Sequence, residues 1–289
     1  MFTAVEQIAI REGCAVSAIC DVLSVSRSGF YAWQAPEMSA REQRDAELAP
    51  LVREIFHQHR RRYGARRIAA ELADRGESCG VARVARLLET QGLQALQPQS
   101  YRPRTTNSRH RLGYSPNLLR DRAAPQQINE VWVGDITYIR LRGGRFGYLS
   151  VLMDLYSRRI VGWEYQESMT DALVLAALRK AIRSRQPPAG LIHHTDRGGQ
   201  YRSTDYRQVL HRAGMEPSMS DAGNCYDNAF MESCFGSLKR ELELDEYADS
   251  LEAVRALSEY VRYYNRDRRH SSLGYLTPAE FEEQLTVRN

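Results

Sequence analysis

The chain has 289 residues, 43% apolar and 26% charged, which is an ordinary globular composition with room for two domains. It contains no run of 18 apolar residues and no basic, then apolar, secretory start, so we expect a cytoplasmic protein without a membrane segment. Its five scattered cysteines include no CxxC pair, which argues against a disulfide framework or a structural zinc finger.

The net charge is only +4, but the basic residues are unevenly distributed. Between residues 53 and 122 there are 15 arginines against 6 acidic residues, whereas Lys180 and Lys239 are the only lysines of the chain. Because guanidinium groups suit phosphate oxygens, this segment indicates a polyanion partner, DNA or RNA. A genome with GC-rich codons also favours arginine, so composition alone leaves both explanations open.

The first hundred residues are predicted to form helices. Apolar spacing and turn residues indicate helices over 15–23, 27–33, 41–59, 66–74 and 81–91. The last two have helix-turn-helix proportions, so we expect residues 1–96 to form a helical, helix-turn-helix-like DNA-binding region. Its candidate DNA contacts are Arg66, Arg67, Arg83 and Arg86. Plain packing of a helical hairpin is the alternative.

Residues 97–127 are predicted to be a basic linker. The stretch QPQSYRPRTTNSRHRLGYSPN contains prolines, polar residues and five basic side chains, counting His110. Its charge suggests a path along a phosphate backbone, and a merely solvated linker is the alternative.

Residues 128–289 have a different pattern. Alternation rich in β-branched and aromatic residues predicts a strand over 131–141, and further strands are predicted over 146–155 and 159–165. Two hairpin-like connections imply that these three strands are antiparallel. They are followed by a helix over 171–184, a strand over 191–195, a helix over 204–213, a strand over 216–219 and helices over 228–244 and 251–264. This order is that of the RNase H-like α/β fold, a mixed five-stranded sheet with helices.

Three acidic residues of this domain suit metal-dependent phosphodiester chemistry. Asp135 lies inside an apolar strand, Asp196 follows a strand directly in HHTDRGGQY, and Glu232 lies near the start of a helix. Two divalent cations held by such carboxylates activate a nucleophile and stabilise the leaving oxygen. On the same helix face as Glu232, Asn228 and Lys239 are candidate DNA contacts.

Other polar residues compete for these roles. Asp154 is interpreted as a structural ion-pair partner, and Asp221 and Asp227 as turn or cap residues. His193 and His194 could bind metal, but strand alternation would point only one of them inward, and a hydrogen-bonded structural histidine is the favoured interpretation.

Four segments, VWVGDITYI, HHTDRGGQY, GNCYDNAFMESCFGSLKREL and YVRYYNRDRRHSSLGYLTPAEF, resemble the OrfB-type transposases of bacterial insertion sequences, of the insertion sequence 3 family, which are similar to retroviral integrases. The leading segments VSRSGFYAW and RRYGARRIAAEL resemble the same family, so the similarity covers nearly the whole chain. The Asp-Asp-(35)-Glu pattern of that family corresponds to Asp135, Asp196 and Glu232, and its basic residue corresponds to Lys239.

The resemblance implies a transposase that cleaves DNA and joins its 3′ end to another strand, with two Mg²⁺ or Mn²⁺ ions in each site and no covalent protein–DNA intermediate. It also implies a homo-multimer on DNA and a partnership or fusion with an upstream OrfA product. Two other functions stay open: a nuclease that only hydrolyses with the same acids, and a non-catalytic DNA-binding regulator. The arginine-rich N-terminal region argues against the first, and the intact triad against the second.

Overall fold

The chain divides into two compact units, Met1–Gln94 and Ala95–Asn289. The computed structural model describes residues 1–34, 38–97, 114–120, 122–221, 229–242 and 246–287. Within these ranges no helix combines the length and the apolar character needed to cross a membrane.

The first unit is helical in every element that the structure describes. Its helices are α1 Phe2–Glu12, α2 Val16–Val22, α3 Arg27–Gln34, α4 Ala40–Gln58, α5 Ala65–Asp74 and α6 Val81–Thr90. Helices α2 to α6 confirm the predicted segments within one or two residues, whereas α1 was not predicted. A small core of Val5, Ile19, Cys20 and Phe30 joins α1, α2 and α3. Helices α4, α5 and α6 pack against one another.

Local sequence explains where these helices begin and end. Ser39 caps α4, since its hydroxyl accepts from the backbone N–H of Glu42 while the Glu42 carboxylate accepts from the backbone N–H of Ser39. Gly92 has a positive φ of 65° two residues after the end of α6, a left-handed conformation that glycine commonly adopts where a helix ends.

The second unit is built on a five-stranded mixed sheet. Its strands are β1 Val131–Leu141, β2 Arg145–Asp154, β3 Ile160–Gln166, β4 Ile192–Thr195 and β5 Glu216–Met219, in the order β3-β2-β1-β4-β5. The pairs β1–β2 and β2–β3 are antiparallel, and β1–β4 and β4–β5 are parallel. The predicted order of strands and helices along the chain, the three antiparallel strands and the mixed five-stranded sheet are confirmed.

Helices cover both faces of this sheet. They are α7 Asp171–Arg185, α8 Thr204–Arg212, α9 Ala229–Glu241, α10 Ser250–Arg266 and α11 Pro278–Val287. Helices α7 and α8 share a core with Trp132 and Leu152, while α9 and α10 share a core with Val133 and Val151. Neighbouring residues of β1 and β2 therefore serve opposite faces, as strand alternation requires.

Part of the predicted linker lies on the core. The backbone carbonyl of Pro116 accepts from the N–H of Met219, and the Ser218 hydroxyl accepts from the N–H of Leu118. The Arg197 and Arg202 guanidinium carbons lie 4.6 and 4.9 Å from the ring centroid of Tyr114. Residues 98–113 and 121 fall outside the described residues, so the basic path along DNA stays a prediction.

Candidate active site

The first two predicted acids lie side by side on two parallel strands, Asp135 within β1 and Asp196 directly after the end of β4. The last register pair between β1 and β4 is Gly134 with Thr195, so Asp135 and Asp196 are the next residues across the same pair of strands. Neighbouring strands are about 4.8 Å apart, which brings the two carboxylates close together. Both side chains are only half-buried, so the pair is accessible from one side.

Both carboxylates are oriented by backbone N–H groups. Asp135 Oδ1 accepts from the N–H of Ile136 at 2.8 Å, and Asp196 Oδ1 accepts from the N–H of Gly198 at 2.9 Å. A Cβ atom on Gly198 would lie 2.9 Å from Asp196 Oδ1, so a side chain at position 198 would displace the carboxylate. Gly198 thus leaves room for the Asp196 carboxylate.

Burial makes the negative charge of Asp196 costly. Desolvation raises the pKa of Asp196, and the hydrogen bond from Gly198 only partly opposes the effect. A hard cation would favour the ionised form, and carboxylate oxygens are the ligands that Mg²⁺ and Mn²⁺ prefer. The donor set therefore fits a divalent cation.

Glu232 lies on α9, which packs on the face of the sheet that Asp135 occupies. Met231 and Cys234 on α9 share a core with Val133, and Asp135 follows Val133 by two residues on the same face of β1. The Glu232 side chain is exposed. Among the described residues, no three His, Cys, Asp or Glu side chains are grouped closely enough to hold a metal ion. The structure thus pairs the two aspartates without bringing Glu232 to them.

The basic residue of α9 lies close to the aspartates. Lys239 Nζ is 4.2 Å from the ring centroid of Tyr138 on β1. Burial and the neighbouring Arg140 lower the pKa of Lys239, and Asp135 opposes that shift. The charge of Asp135 therefore acts on the Lys239 ammonium group. Asn228, the other predicted contact on this helix, lies outside the described residues.

A buried ion pair anchors the C-terminal end of α9. The Arg268 guanidinium donates from both Nε and Nη2 to the Glu241 carboxylate, at 2.9–3.0 Å, and from Nη2 to the Ser237 hydroxyl at 3.2 Å. The Tyr260 hydroxyl donates to the same carboxylate at 3.2 Å. At the other end of α9, the Arg158 guanidinium carbon lies 4.2 Å from the Phe230 ring centroid.

Both histidines of β4 are structural, although alternation had predicted that only one would be buried. His193 Nε2 is 2.7 Å from the Tyr206 hydroxyl, and His194 lies between the Ser218 and Ser220 hydroxyls at 2.8 and 3.1 Å. The expectation of a single inward histidine was wrong because β4 is an inner strand with helices on both faces. Burial lowers the pKa of His193 to about 4.

The competing aspartates have structural partners. Asp154 was predicted to be a structural ion-pair partner, and the prediction of an ion pair was wrong. The buried carboxylate instead accepts hydrogen bonds from the backbone N–H groups of Asn129, Tyr156 and Ser157. Asp221 accepts from Arg120 and from the side-chain amide of Asn117. Asp227 lies outside the described residues.

Comparisons with known proteins agree with this architecture. Family models described as "Integrase core domain" match residues 125–225 and 213–278, and one described as "HTH-like domain" matches residues 42–101. The Transposase InsF for insertion sequence IS3A of Escherichia coli strain K12 is 41% identical over 273 residues, which cover 93% of this chain and 94% of InsF. The chain is an insertion-sequence transposase of the IS3 family.

A second relative is similar over almost its whole length. The "Insertion element IS600 uncharacterized 31 kDa protein" of Shigella sonnei is 44% identical over 268 residues, which cover 92% of the transposase and 98% of the relative. The transposase therefore has an integrase catalytic core and a helix-turn-helix-like region upstream of it.

Two solved structures show similarity to the transposase. A simian T-cell lymphotropic virus intasome in complex with PP2A regulatory subunit B56 gamma matches with a TM-score of 0.46 and 18% identity, over 76% of this chain and 70% of the other. The HTLV-2 integrase catalytic core domain in complex with magnesium matches with a TM-score of 0.43 and 20% identity, over 52% and 94%.

The predicted DNA-contacting arginines of the transposase differ in their surroundings. Arg86 Nη1 and Arg83 Nε lie 2.7 and 3.4 Å from the Asp45 carboxylate on α4. Arg67 donates to the backbone carbonyl of Arg62 and lies over the Tyr63 ring. Arg66 is exposed on α5. Three of the four thus have contacts within the helical unit.

The sequence prediction missed one residue of the site. Tyr201, five residues after Asp196, is buried. Burial raises the pKa of its hydroxyl, and the charges of Asp135 and Asp196 raise it further. No motif singled it out, because a tyrosine after a glycine pair has no distinctive pattern of its own.

Proposed function

We propose that Asp135, Asp196 and Glu232 form the catalytic site of the transposase, which binds two Mg²⁺ or Mn²⁺ ions and breaks and rejoins DNA phosphodiester bonds. The observation that carries the proposal is the aspartate pair: two half-buried carboxylates on adjacent parallel strands, on the face that α9 covers. Two like charges so placed are unfavourable unless a cation neutralises them.

Each acid has a separate part in this proposal. Asp135 and Asp196 bind cations from the rigid sheet, where backbone N–H groups orient both carboxylates. Glu232 completes the ligand set from α9, which requires a movement of the exposed side chain or of the helix start toward the sheet. Bound divalent cations supply charge stabilisation at the attacked phosphate and at the attacking and leaving oxygens.

The reaction follows from this arrangement. In cleavage, a water oxygen bonds to phosphorus in line while the bond from phosphorus to the 3′ oxygen breaks, which leaves a free 3′-hydroxyl. In joining, that hydroxyl loses its proton and its oxygen bonds in line to a phosphorus of another strand, while the bond from that phosphorus to its own 3′ oxygen breaks and leaves a new 3′-hydroxyl. No side chain becomes bonded to DNA, so the residues act by positioning and by charge. Lys239, beside the aspartate pair, binds a phosphate near the scissile bond.

The remaining proposals concern DNA and partners. Residues 1–96 act as the DNA-binding region, with Arg66 as its exposed phosphate contact, and the basic residues of 97–127 follow the backbone toward the core. Two insertion-sequence ends must be held together for transposition, which supports a homo-multimer on DNA. An upstream OrfA product provides further recognition of the ends.

A strand-transfer assay with labelled insertion-sequence ends tests the catalytic assignment. Glu232→Gln is compared with Glu259→Gln, which changes another exposed helical glutamate, on α10. We expect Glu232→Gln to reduce cleavage and joining by at least about 10³-fold, roughly 4 kcal/mol of barrier, with Glu259→Gln unaffected. Full activity of Glu232→Gln would refute the triad, and cleavage without joined product in the unmodified protein would favour a hydrolytic nuclease.

A further inference from the structure

Arg197 is the middle residue of the turn that orients the Asp196 carboxylate. Asp196 Oδ1 accepts from the backbone N–H of Gly198, two residues further along the chain, at 2.9 Å. An aspartate that bonds in this way to the backbone two residues on closes a turn, with the intervening residue at its centre. The direction of the carboxylate therefore depends on where the backbone of Arg197 is held.

The residues on both sides of Asp196 are bound to one residue, Ser220, which directly follows β5. The backbone N–H of Ser220 donates to the carbonyl of Thr195 at 3.0 Å. Arg197 Nε donates to the carbonyl of Ser220 at 2.7 Å. The chain before Asp196 is thus fixed through its backbone, and the chain after it is fixed through the Arg197 guanidinium group.

Two further residues contact the same guanidinium group. Its central carbon lies 4.6 Å from the ring centroid of Tyr114, and Arg197 Nη2 lies 3.7 Å from Asp221 Oδ1. Because a guanidinium group is planar and has donors along its edge, it can stack on a ring and bind oxygens at the same time. A carbonyl, a carboxylate and a ring together fix the position of this side chain.

The linker segment that carries Tyr114 is itself bound to β5. The carbonyl of Pro116 accepts from the N–H of Met219 at 3.2 Å, and the N–H of Leu118 donates to the Ser218 hydroxyl at 2.9 Å. These hydrogen bonds hold the segment against the core without the help of Arg197. The Tyr114 ring is therefore a fixed support for the guanidinium group.

We propose that Arg197 is a positioning residue: its side chain, bound to the end of β5 and to the linker, holds the turn after β4 in the conformation in which the Asp196 carboxylate binds cations. Groups that orient metal-binding side chains set the affinity of the site for the ion. The inference rests on the proposed role of Asp196 as a metal ligand. In this role Arg197 contacts the protein, whereas Lys239 is proposed to contact DNA.

Calorimetric titration with Mn²⁺, well below the melting temperature of each variant, tests the inference. We expect the Kd for Mn²⁺ to rise about 10–100-fold in Arg197→Ala. Arg145→Ala is the matched control, since the exposed Arg145 also donates from Nε to a backbone carbonyl, that of Arg142 at 3.4 Å, and its Kd should be unchanged.

Two results of this titration would overturn the inference. One is an unchanged Kd in Arg197→Ala, and a reduced salt slope of DNA binding in that variant would then identify Arg197 as a phosphate contact. The other is an equal rise of the Kd in Arg145→Ala, which would show that the loss of any such arginine weakens the site.

Tyr114 offers a milder pair of variants. Tyr114→Phe keeps the ring against the guanidinium group, whereas Tyr114→Leu keeps an apolar side chain without a ring. We expect an unchanged Kd for Mn²⁺ in the first and a rise of about 2–5-fold in the second, the loss of one partly exposed cation–π contact. Because Tyr114 is 39% exposed, both variants should fold even if Arg197→Ala does not, and equal Kd values in the two would then overturn the inference.

Asp196→Asn distinguishes a failure of this inference from a failure of the proposed site. If Asp196→Asn keeps the Mn²⁺ affinity of the unmodified protein, the proposed site is wrong and the role of Arg197 is wrong with it. If Asp196→Asn loses affinity while Arg197→Ala keeps it, Asp196 binds the ion and only the role of Arg197 is refuted.

Discussion

Lys239 Nζ lies 4.2 Å from the centroid of the Tyr138 ring, so the ring holds the ammonium group beside the strand that carries Asp135. A cation over an aromatic face keeps its charge while losing part of its mobility. The lysine is therefore positioned to bind a phosphate that approaches the aspartate pair. In this proposal, α9 and β1 both contact the bound DNA.

This placement predicts that Lys239→Ala weakens DNA binding and leaves Mn²⁺ affinity unchanged. The slope of log Kd for DNA against log salt should decrease by about 0.9, the loss of one phosphate contact. Fluorescence anisotropy across a salt series measures it. Lys180→Ala is the control, since Lys180 is the other lysine of the chain and pairs with Glu164 at 2.8 Å. Equal slopes for Lys239→Ala and the unmodified protein would contradict the assignment.

The raised pKa of Asp196 predicts a pH-dependent stability of the metal-free protein. Because the folded-state pKa lies above the unfolded one, the contribution of Asp196 is fully present below the ordinary pKa of aspartate and is lost as pH rises through the folded pKa. Asp196→Asn removes this loss, so the variant should melt above the unmodified protein at neutral pH, with the difference vanishing near pH 3.8.

Calorimetric melting in chelator checks this pH dependence. Added Mn²⁺ should then stabilise the unmodified protein at neutral pH and leave Asp196→Asn unchanged, because only the former offers the carboxylate. A variant that is less stable than the unmodified protein at neutral pH would show that the Asp196 charge is favourable without an ion.

The arginines of the helical unit are predicted to separate into two classes. Arg86→Ala should lower the melting temperature of this unit, because it leaves Asp45 without its main partner, whose hydrogen bond lowers the pKa of that carboxyl. Arg66→Ala should leave stability unchanged and reduce the salt slope of DNA binding by about 1. Melting curves measure the stability of the two variants, and fluorescence anisotropy measures their DNA binding. A large DNA-binding defect in Arg86→Ala with none in Arg66→Ala would contradict the two classes.

The buried pair of Arg268 and Glu241 makes a quantitative prediction for stability. Arg268→Met leaves an unpaired buried carboxylate and should lower the free energy of unfolding by about 3–5 kcal/mol. Replacing both residues, Arg268→Met with Glu241→Leu, should recover most of the loss. Urea unfolding measures both variants, and a double variant no more stable than Arg268→Met would mean that the other contacts of the arginine dominate.

Local patterns predicted the sheet well. Strands β1, β2 and β3 are 11, 10 and 7 residues long, so their apolar and aromatic content is visible in sequence, and Asp135 was conspicuous as an acid within β1. Helices α1 and α11 were not predicted, although both sequences form helices.

Features that depend on distant partners were not predictable from local sequence. The Arg268–Glu241 pair joins residues 27 positions apart, and the burial of both His193 and His194 depends on helices packing on the two faces of β4. The three acids were selected from their positions on two strands and a helix, and the resemblance matched their spacing, but only the two aspartates are adjacent in the structure.

A structure of the transposase with Mn²⁺ and a DNA end, with the ions located by anomalous scattering, tests the central claim most directly. The account predicts ions within about 2.0–2.2 Å of carboxylate oxygens from Asp135, Asp196 and Glu232, with α9 shifted toward the sheet relative to the metal-free arrangement. Ions bound elsewhere, or an occupied aspartate pair with Glu232 still pointing into solvent, would contradict it.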